Sequence, residues 1–191
     1  MQAHKRALQA FAEVLSGVQD GQLEAPTPCS EWTVRQLVGH VVAGNNRVAG
    51  EGPTPDAYGD GGAGQGREWG PGDVKAVRAA YEASAERAHA AFAAPDGLTR
   101  SFAMPFGEVP GAVFVRMRAT DVLVHAWDLA KATGRSTDLD PELAEEQLAI
   151  SRQSVRPEVR GQGRPFGAEQ PCPEGRPAAD RLAAFLGRSV S

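Results

Sequence analysis

The sequence predicts an all-α fold, with residues 1–191 forming a single helical domain. Three observations support this prediction. Apolar residues recur three and four positions apart over five or six stretches, which is the spacing of one helix face. No stretch alternates convincingly between apolar and polar residues, as a half-buried strand does. A chain of this length also buries one substantial core more readily than two.

Local signals mark where the first helix ends and where the second begins. Residues 3 to about 19 carry an apolar stripe, and Gly21 with the prolines that follow it ends this helix. The second helix is expected to start at Thr33, because Thr33 and Gln36 stand in the relation of a capping box. His40 lies on the inward face of that helix. Taken alone, a single histidine there favours a core imidazole bonded to a carbonyl group.

The next part of the chain is dominated by a loop. Glycine and proline are so frequent in residues 50–72 that we expect a long flexible loop without secondary structure. A third helix is predicted from Pro71 or Asp73 to about Ala93. Residues 97–111 contain two prolines and alternate only loosely, so they are expected to form a loop or a short extended arm.

The longest stretch without proline or internal glycine, from Phe114 to Gly134, predicts one uninterrupted helix that Gly134 closes. Apolar residues surround nearly its whole circumference, so we expect it at the centre of the fold. Asp121, His125 and Asp128 lie on one stripe of this apolar surface. Buried charges are costly unless they are paired or coordinated. These three residues are therefore candidates for a functional site.

The C-terminal third adds shorter helices. Asp140 is expected to cap a helix that has Pro141 at its first position. Residues 157–177 are rich in proline, glycine and charge and predict a tail along the surface. A last short helix, AADRLAAFLG, then covers the core, so that residues 157–191 as a whole pack on the bundle. The complete prediction is a four-helix bundle with additional short C-terminal helices.

Composition limits the partners and the location that we expect for the protein. The formal net charge is −4 with acidic and basic residues interspersed, which argues against nucleic acid and anionic membranes as partners. No apolar run approaches the roughly 20 residues that span a bilayer, and the N-terminal residues do not resemble a secretory signal. Cys29 and Cys172 form no metal-binding motif and fit a reducing cytoplasm, with a single disulfide as the alternative. A cytoplasmic protein, monomeric or homodimeric, is expected.

His40, Asp121 and His125 form a candidate metal site. Asp121 and His125 are four residues apart on one helix, so they can offer an oxygen and a nitrogen to the same point, and bundles build metal sites from such inward side chains. Three protein ligands leave a fourth position for water or substrate, which is the catalytic pattern. The donors suit Zn²⁺ best, and Ni²⁺, Fe²⁺ or Mn²⁺ as well. Spacing alone favours the alternative, an Asp121–His125 pair with His40 hydrogen-bonded nearby.

Asp128 lies one turn beyond His125. We expect it to hold an imidazole N–H or an arginine behind the metal ligands. The alternative is a plain salt bridge with Arg47 or another basic residue.

Two stretches, EWTVRQLVGHVVAGN (31–45) and ATDVLVHAWDLAKATG (119–134), resemble the metal-binding domain of the mycothiol-dependent maleylpyruvate isomerase family. That family belongs to the DinB-like group, together with bacillithiol transferases. The resemblance implies a DinB-like four-helix bundle that holds a divalent metal, usually zinc, in a His/Glu/His triad. It places His40, Asp121 and His125 at the three ligand positions, with Asp121 where the isomerase has a glutamate.

The resemblance also implies a thiol chemistry. A metal in this site would activate a low-molecular-weight thiol, mycothiol, for attack on a small electrophile, in an S-transferase or isomerase reaction. The isomerase has an additional C-terminal domain that this sequence lacks, so isomerisation of maleylpyruvate itself is not expected. The alternatives are a non-enzymatic bundle that binds a metal or small ligand, and an interaction module with a vestigial site.

Overall fold

The computed structural model describes residues 1–30, 32–51, 69–70, 72–104, 107–161 and 166–190. The elements in chain order are α1 (Gln2–Ser16), α2 (Val34–Val48), α3 (Val74–Ala93), β1 (Ser101–Met104), β2 (Gly107–Pro110), α4 (Gly111–Ala132), α5 (Pro141–Ser154) and α6 (Ala178–Phe185). Helix α1 packs on α4 and α2 on α3, with further contacts of α1 with α3 and of α2 with α4. The all-α prediction is confirmed, whereas the count of four helices in the bundle stays a prediction.

Side-chain caps fix where the helices begin. The Thr33 hydroxyl accepts the N–H of Gln36 at 3.4 Å, and the Gln36 side chain accepts the N–H of Thr33 at 2.9 Å. This is the predicted capping box, and it satisfies two of the donors that a helix start leaves unpaired. Asp73 and Asp140 likewise accept backbone N–H groups at the starts of α3 and α5.

Helix α4 is the centre of the core. Residues on almost all its sides are buried, including Phe114, Val122 and Trp127. It begins at Gly111 rather than at Phe114. Gly134, at φ 68°, follows it in the left-handed conformation, and the N–H of Arg135 returns to the carbonyl of Ala130 at 2.8 Å. These are marks of a glycine-terminated helix end, as the sequence predicted.

Residues 97–111 contain a β-hairpin, so the expectation of a loop or extended arm there is corrected. Strands β1 and β2 pair antiparallel, with Phe102 opposite Val109. Both side chains are buried in a small second core with Phe92 and Phe114. Each strand has only four residues, too few for an alternating pattern to be recognised, and burial against α3 and α4 stabilises the pair.

The remaining predictions concern the connecting segments. The flexible loop predicted at 50–72 falls almost wholly on residues 52–68 and 71, which lie outside the described residues. The tail contains a 3₁₀ turn at Pro157–Val159 and then α6, whose apolar side chains join the main core. In the parts of the chain that the structure describes, no helix combines the length and apolar character needed to cross a membrane.

Candidate metal site

The side chains of His40, Asp121 and His125 meet between α2 and α4. The Nε2 atom of His125 lies 3.5 Å from Oδ1 of Asp121, and Nε2 of His40 lies 3.9 Å from the same oxygen. The three ligand atoms are all within 4.8 Å of one another. Tetrahedral zinc with bonds of about 2.0–2.1 Å separates its ligand atoms by about 3.3 Å. Movements of a fraction of an ångström to about 1.5 Å would therefore bring the three onto one ion, and the donor set fits a divalent metal.

The cluster is partly open to solvent. The Asp121 and His40 side chains are 35% and 24% exposed, whereas that of His125 is 6% exposed. The Trp32 ring lies 4.6 Å from the His40 ring and 5.7 Å from the His125 ring, measured between centroids. Trp32 therefore forms an aromatic wall beside the two imidazoles, and a small molecule can approach where Asp121 and His40 meet solvent.

Asp128 fixes the His125 ring from behind. Its Oδ2 lies 3.0 Å from Nδ1 of His125, and its side chain is fully buried. An ionised carboxylate only accepts hydrogen bonds, so Nδ1 carries the proton. In the neutral imidazole the lone pair is then on Nε2, the nitrogen that faces Asp121. This contact is the arrangement expected for Asp128, while its role behind a bound metal stays a prediction.

The basic partner of Asp128 is Arg188, not Arg47. Arg188 places Nη2 3.1 Å from Oδ2 of Asp128 and Nε 3.3 Å from Oδ1. Arg47 instead donates to the carbonyl of Ala103 at 2.6 Å. The sequence could not select Arg188, because it lies 60 positions beyond Asp128, directly after the last predicted helix, and spacing does not show what the end of that helix approaches.

Asp121 also has a cationic partner that sequence reasoning missed. Arg118, one turn earlier on α4, places Nη1 2.5 Å from Oδ2 of Asp121. Its Nη2 donates to the Asn45 side chain at 3.0 Å. One oxygen of Asp121 is thus held by a buried guanidinium and the other faces the two histidines. The spacing of Arg118 and Asp121, three apart on a helix, was the signal that could have found the pair.

The ionisation of the cluster follows from these pairs. Burial raises the pKa of Asp121, but Arg118 and then His125 outweigh it and hold the pKa well below its usual value. Burial lowers the pKa of His125, yet Asp121 and Asp128 hold it well above its usual value. Burial likewise raises the pKa of Asp128, and Arg188 with His125 brings it down to about 2. Without a metal, His125 is therefore an imidazolium between two carboxylates, and metal binding must displace its Nε2 proton.

Cys29 is a further residue that the sequence did not associate with the site. Its Sγ lies 3.2 Å from Oδ2 of Asp128 and 4.0 Å from Nδ1 of His125, which makes a second group of metal-binding atoms. Arg188 also lies here, with Nη2 3.6 Å from the sulfur. Arg188 contacts Oδ2 of Asp128, the same oxygen that faces His125 and Cys29. Arg118 contacts only the far oxygen of Asp121 and leaves Oδ1 facing the two histidines, so the group around Asp121 is the better metal candidate.

An all-α fold that brings two histidines and an aspartate together between facing helices defines a helical protein with a candidate metal site. The chain belongs to the family described as the mycothiol maleylpyruvate isomerase N-terminal domain, which it matches over residues 4–130. The predicted family is thereby confirmed. His40, Asp121, His125 and Asp128 all fall within the matched residues, and Arg188 falls outside them.

Two relatives and two solved structures are similar to this chain. The uncharacterized proteins Rv0738 and MT0763, from two strains of Mycobacterium tuberculosis, are each 52% identical over 190 residues, covering 100% of this chain and 98% of theirs. Crystal structures of the mycothiol-dependent maleylpyruvate isomerase and of a histidine-to-alanine mutant of it each superpose with a TM-score of 0.61 at 21% identity. Each match covers 78% of this chain and 65% of the solved one. At that identity the likeness is one of fold, and it agrees with the prediction of a helical, DinB-like fold.

Proposed function

We propose that this protein holds a divalent metal, most favourably zinc, through His40, Asp121 and His125. With that metal it uses mycothiol in an S-transfer or isomerisation reaction on a small electrophile. The observation that carries the proposal is the convergence of the three ligand atoms within 4.8 Å of one another, in a chain whose family is described by a mycothiol-dependent isomerase. The two cysteines are free thiols, which agrees with a reducing cytoplasm where such a thiol cosubstrate persists.

Each residue of the cluster has a part in this proposal. A bound divalent metal supplies a Lewis acid that lowers the pKa of a thiol, so that the thiolate is available at neutral pH. Asp128 keeps one proton of His125 on Nδ1, so that Nε2 is the nitrogen that would bind once its own proton is displaced. Arg118 holds the far oxygen of Asp121, so that Oδ1 faces the histidines. Trp32 forms the apolar wall against which the thiol and electrophile would lie.

Three protein ligands support an enzyme more than a purely structural site. Structural zinc sites close the ion with four protein ligands, whereas catalytic ones keep a position open for water or substrate. The Asp121 and His40 side chains are partly exposed, so water or a small substrate could reach the cluster. The shorter side chain of Asp121, where the isomerase has a glutamate, is accommodated by its 3.5 Å approach to His125.

The first experiment measures metal content. Protein purified without chelators or metal-affinity resin should contain close to one equivalent of metal, and His40→Ala and His125→Ala should each contain little. His89→Ala is the matched control, because His89 is a histidine of α3 outside the cluster. A wild-type protein that takes up no zinc even on incubation would contradict the ligand assignment.

The second experiment separates catalysis from binding. Metal-loaded protein is incubated with mycothiol and a panel of small electrophiles, including maleylpyruvate, and thiol consumption and products are followed. Turnover that disappears in His125→Ala and persists in His89→Ala supports the enzyme. Stoichiometric metal without thiol-dependent turnover would favour the alternative, a bundle that binds a metal or small ligand without catalysis.

A further inference from the structure

The C-terminal end of the described chain reaches the candidate site. Arg188 lies well beyond the residues 4–130 that match the family. Its guanidinium nevertheless contacts both carboxylate oxygens of Asp128, at 3.1 and 3.3 Å. The Arg188 side chain is 13% exposed and that of Asp128 is fully buried. Such a two-point contact fixes the plane of a carboxylate as well as its charge.

A glycine-terminated helix end aims Arg188 at this point. At the end of α6 the N–H of Gly187 returns to the carbonyl of Ala184 at 3.0 Å, and that of Arg188 to Ala183 at 2.9 Å. Gly187 has φ 99°, and a Cβ on it would lie 2.6 Å from the Cα of Gly167. These are the bonds of a Schellman motif, which needs the left-handed residue that glycine supplies. The direction in which Arg188 leaves α6 is therefore set by the backbone.

Asp128 in turn contacts His125, one of the proposed metal ligands. The oxygen of Asp128 that Arg188 Nη2 approaches is the same Oδ2 that lies 3.0 Å from Nδ1 of His125. It also lies 3.2 Å from the sulfur of Cys29. Cys29 belongs to the loop that carries Trp32, and the backbone N–H of Trp32 donates to the Cys29 carbonyl at 2.7 Å. Arg188 thus holds the Asp128 carboxylate, which contacts both the candidate ligand His125 and the loop that carries Trp32.

We propose that Arg188 is a positioning residue of the metal site. By holding Asp128 it fixes the orientation of the His125 ring, and the segment after α5 is needed for full metal affinity. The inference rests on the proposed function only in requiring that His125 binds a metal. Residues behind metal ligands typically contribute a factor of 10–100 to affinity, and this is the size of effect we expect for Arg188.

The chain offers a matched control in the same segment. Arg176 pairs with Asp180, Nε to Oδ2 at 2.9 Å, and the Asp180 side chain is 1% exposed. The other oxygen of Asp180 accepts the indole N–H of Trp127 at 2.7 Å rather than an imidazole. Arg176→Gln therefore removes an arginine from a buried aspartate. It also removes the bond from Nη2 of Arg176 to the carbonyl of Val190 at 2.8 Å, but it changes no direct contact among Arg188, Asp128 and His125.

The test measures the affinity of the full-length apoprotein for Zn²⁺ by competition with a chromophoric chelator. Arg188→Gln is expected to bind about 10–100-fold more weakly than wild type, and Arg176→Gln within about twofold of it. Arg188→Lys, which keeps the charge but makes a single-point contact, should fall between wild type and Arg188→Gln. The visible spectrum of the Co²⁺-loaded protein should change in Arg188→Gln and not in Arg176→Gln, because it reports ligand geometry.

A double-mutant cycle tests whether Arg188 acts through Asp128. If it does, Arg188→Gln combined with Asp128→Asn binds zinc no more weakly than Asp128→Asn alone. Additive losses would overturn the proposed path. Equal zinc affinity of Arg188→Gln and wild type would overturn the inference while leaving the proposed function intact. Failure of the wild type itself to bind zinc would instead remove the proposed function, so the two failures are distinguishable.

Discussion

At the residue scale, the Asp121 carboxylate is divided between two kinds of partner. Oδ2 contacts the buried guanidinium of Arg118, and Oδ1 faces the two imidazoles. Arg118 fits between the helices because Gly44 has no side chain, since a Cβ there would lie 2.4 Å from its Nη1. A glycine inside a helix weakens that helix by about 1 kcal/mol relative to alanine. Here it makes room for the cation that holds a candidate ligand.

Gly44→Ala should therefore destabilise the protein in spite of its better helix propensity. The new methyl group displaces the Arg118 guanidinium from Asp121 and Asn45. A buried charged group left without partners costs roughly 1–3 kcal/mol or more. We expect the free energy of unfolding, from urea denaturation, to fall by about 1–2 kcal/mol. Gly21→Ala, where a Cβ would meet nothing within 4 Å, should change it by less than about 0.5 kcal/mol. An unchanged stability in Gly44→Ala would contradict this role of Gly44.

His4 is buried on α1 with neither ring nitrogen hydrogen-bonded to any described residue. Burial first, and then the charge of Arg118, lowers its pKa from 6.5 to about 3. The unfolded chain therefore binds a proton at His4 that the folded chain does not. Protonation of His4 in the unfolded chain does not reduce the free energy of unfolding above about pH 6.5. As the pH falls from there toward 3, it lowers the free energy of unfolding by about 1.4 kcal/mol per pH unit.

His4→Leu should remove that part of the acid sensitivity. Losing two unpaired buried nitrogens should also raise the free energy of unfolding at pH 7 by about 1–3 kcal/mol. The measurement is urea denaturation of both proteins between pH 4 and 7. Parallel pH profiles for wild type and variant would rule out His4 as the titrating group. His89→Leu, at a half-buried position of α3, serves as the control histidine.

Sequence spacing predicted two of the contacts within α4 and missed the third, between Arg118 and Asp121. The four-residue separation of Asp121 and His125 predicted their approach, and Asp128 one turn on was expected behind them. Cys29 and Arg188 could not be predicted, because only the tertiary fold brings them within 4 Å of Asp128. Which cation holds Asp128 was open for the same reason.

At the element scale, the hairpin of β1 and β2 shows how packing decides a short segment. A two-stranded hairpin alone is marginal in water. Here the Phe102 ring lies 4.7 Å from the Phe114 ring and 5.9 Å from the Phe92 ring, between centroids. The helices were predictable because their periodicity runs for 14 or more residues in α1 to α5, and the strands were not because each has four.

The Phe102→Ala variant should show how much the packing of the hairpin contributes to the free energy of unfolding. Removing a buried phenylalanine ring typically lowers the free energy of unfolding by about 3–5 kcal/mol. We expect about 2–4 kcal/mol, because the hairpin can close partly over the cavity. Glu108→Ala, on the exposed side of β2, should alter stability by less than about 0.5 kcal/mol in the same denaturation experiment. Similar values for the two variants would mean that the hairpin is not part of the cooperative core.

At the scale of the whole molecule, the candidate site connects helices that are distant in sequence. His40 comes from α2, and Asp121 and His125 from α4, while Arg188 follows α6. A ligand that binds only the folded state stabilises it by RT ln(1 + [L]/Kd). Metal binding should therefore stabilise the whole molecule rather than one helix pair.

Adding Zn²⁺ should raise the melting temperature of the wild type and not that of His125→Ala. At a free zinc concentration 100 times the dissociation constant, the expected gain is about 2.7 kcal/mol, and a chelator should reverse it. Differential scanning calorimetry with and without zinc measures the change. An equal shift in His125→Ala would indicate that zinc binds elsewhere on the chain.

The class and helical content of the fold were predictable from sequence, because long amphipathic stretches have few other ways to bury their apolar faces. The assembly of the site was predictable only where one helix supplies two of its members. The position of His40 opposite Asp121 followed from the family resemblance, since spacing alone favoured a core imidazole. The packing of α6 that delivers Arg188 depends on Gly187 and Gly167 approaching closely, a tertiary contact with no local signal.

The Trp32 ring beside His40 and His125 has a practical consequence. Indole emission depends on the surroundings of the ring, so the fluorescence of Trp32 is expected to change if the two imidazoles bind an ion. The chain has two other tryptophans, and both Trp69 and Trp127 are buried in the core. We therefore expect the Trp32 emission to respond when zinc is added, against a background from the two buried indoles.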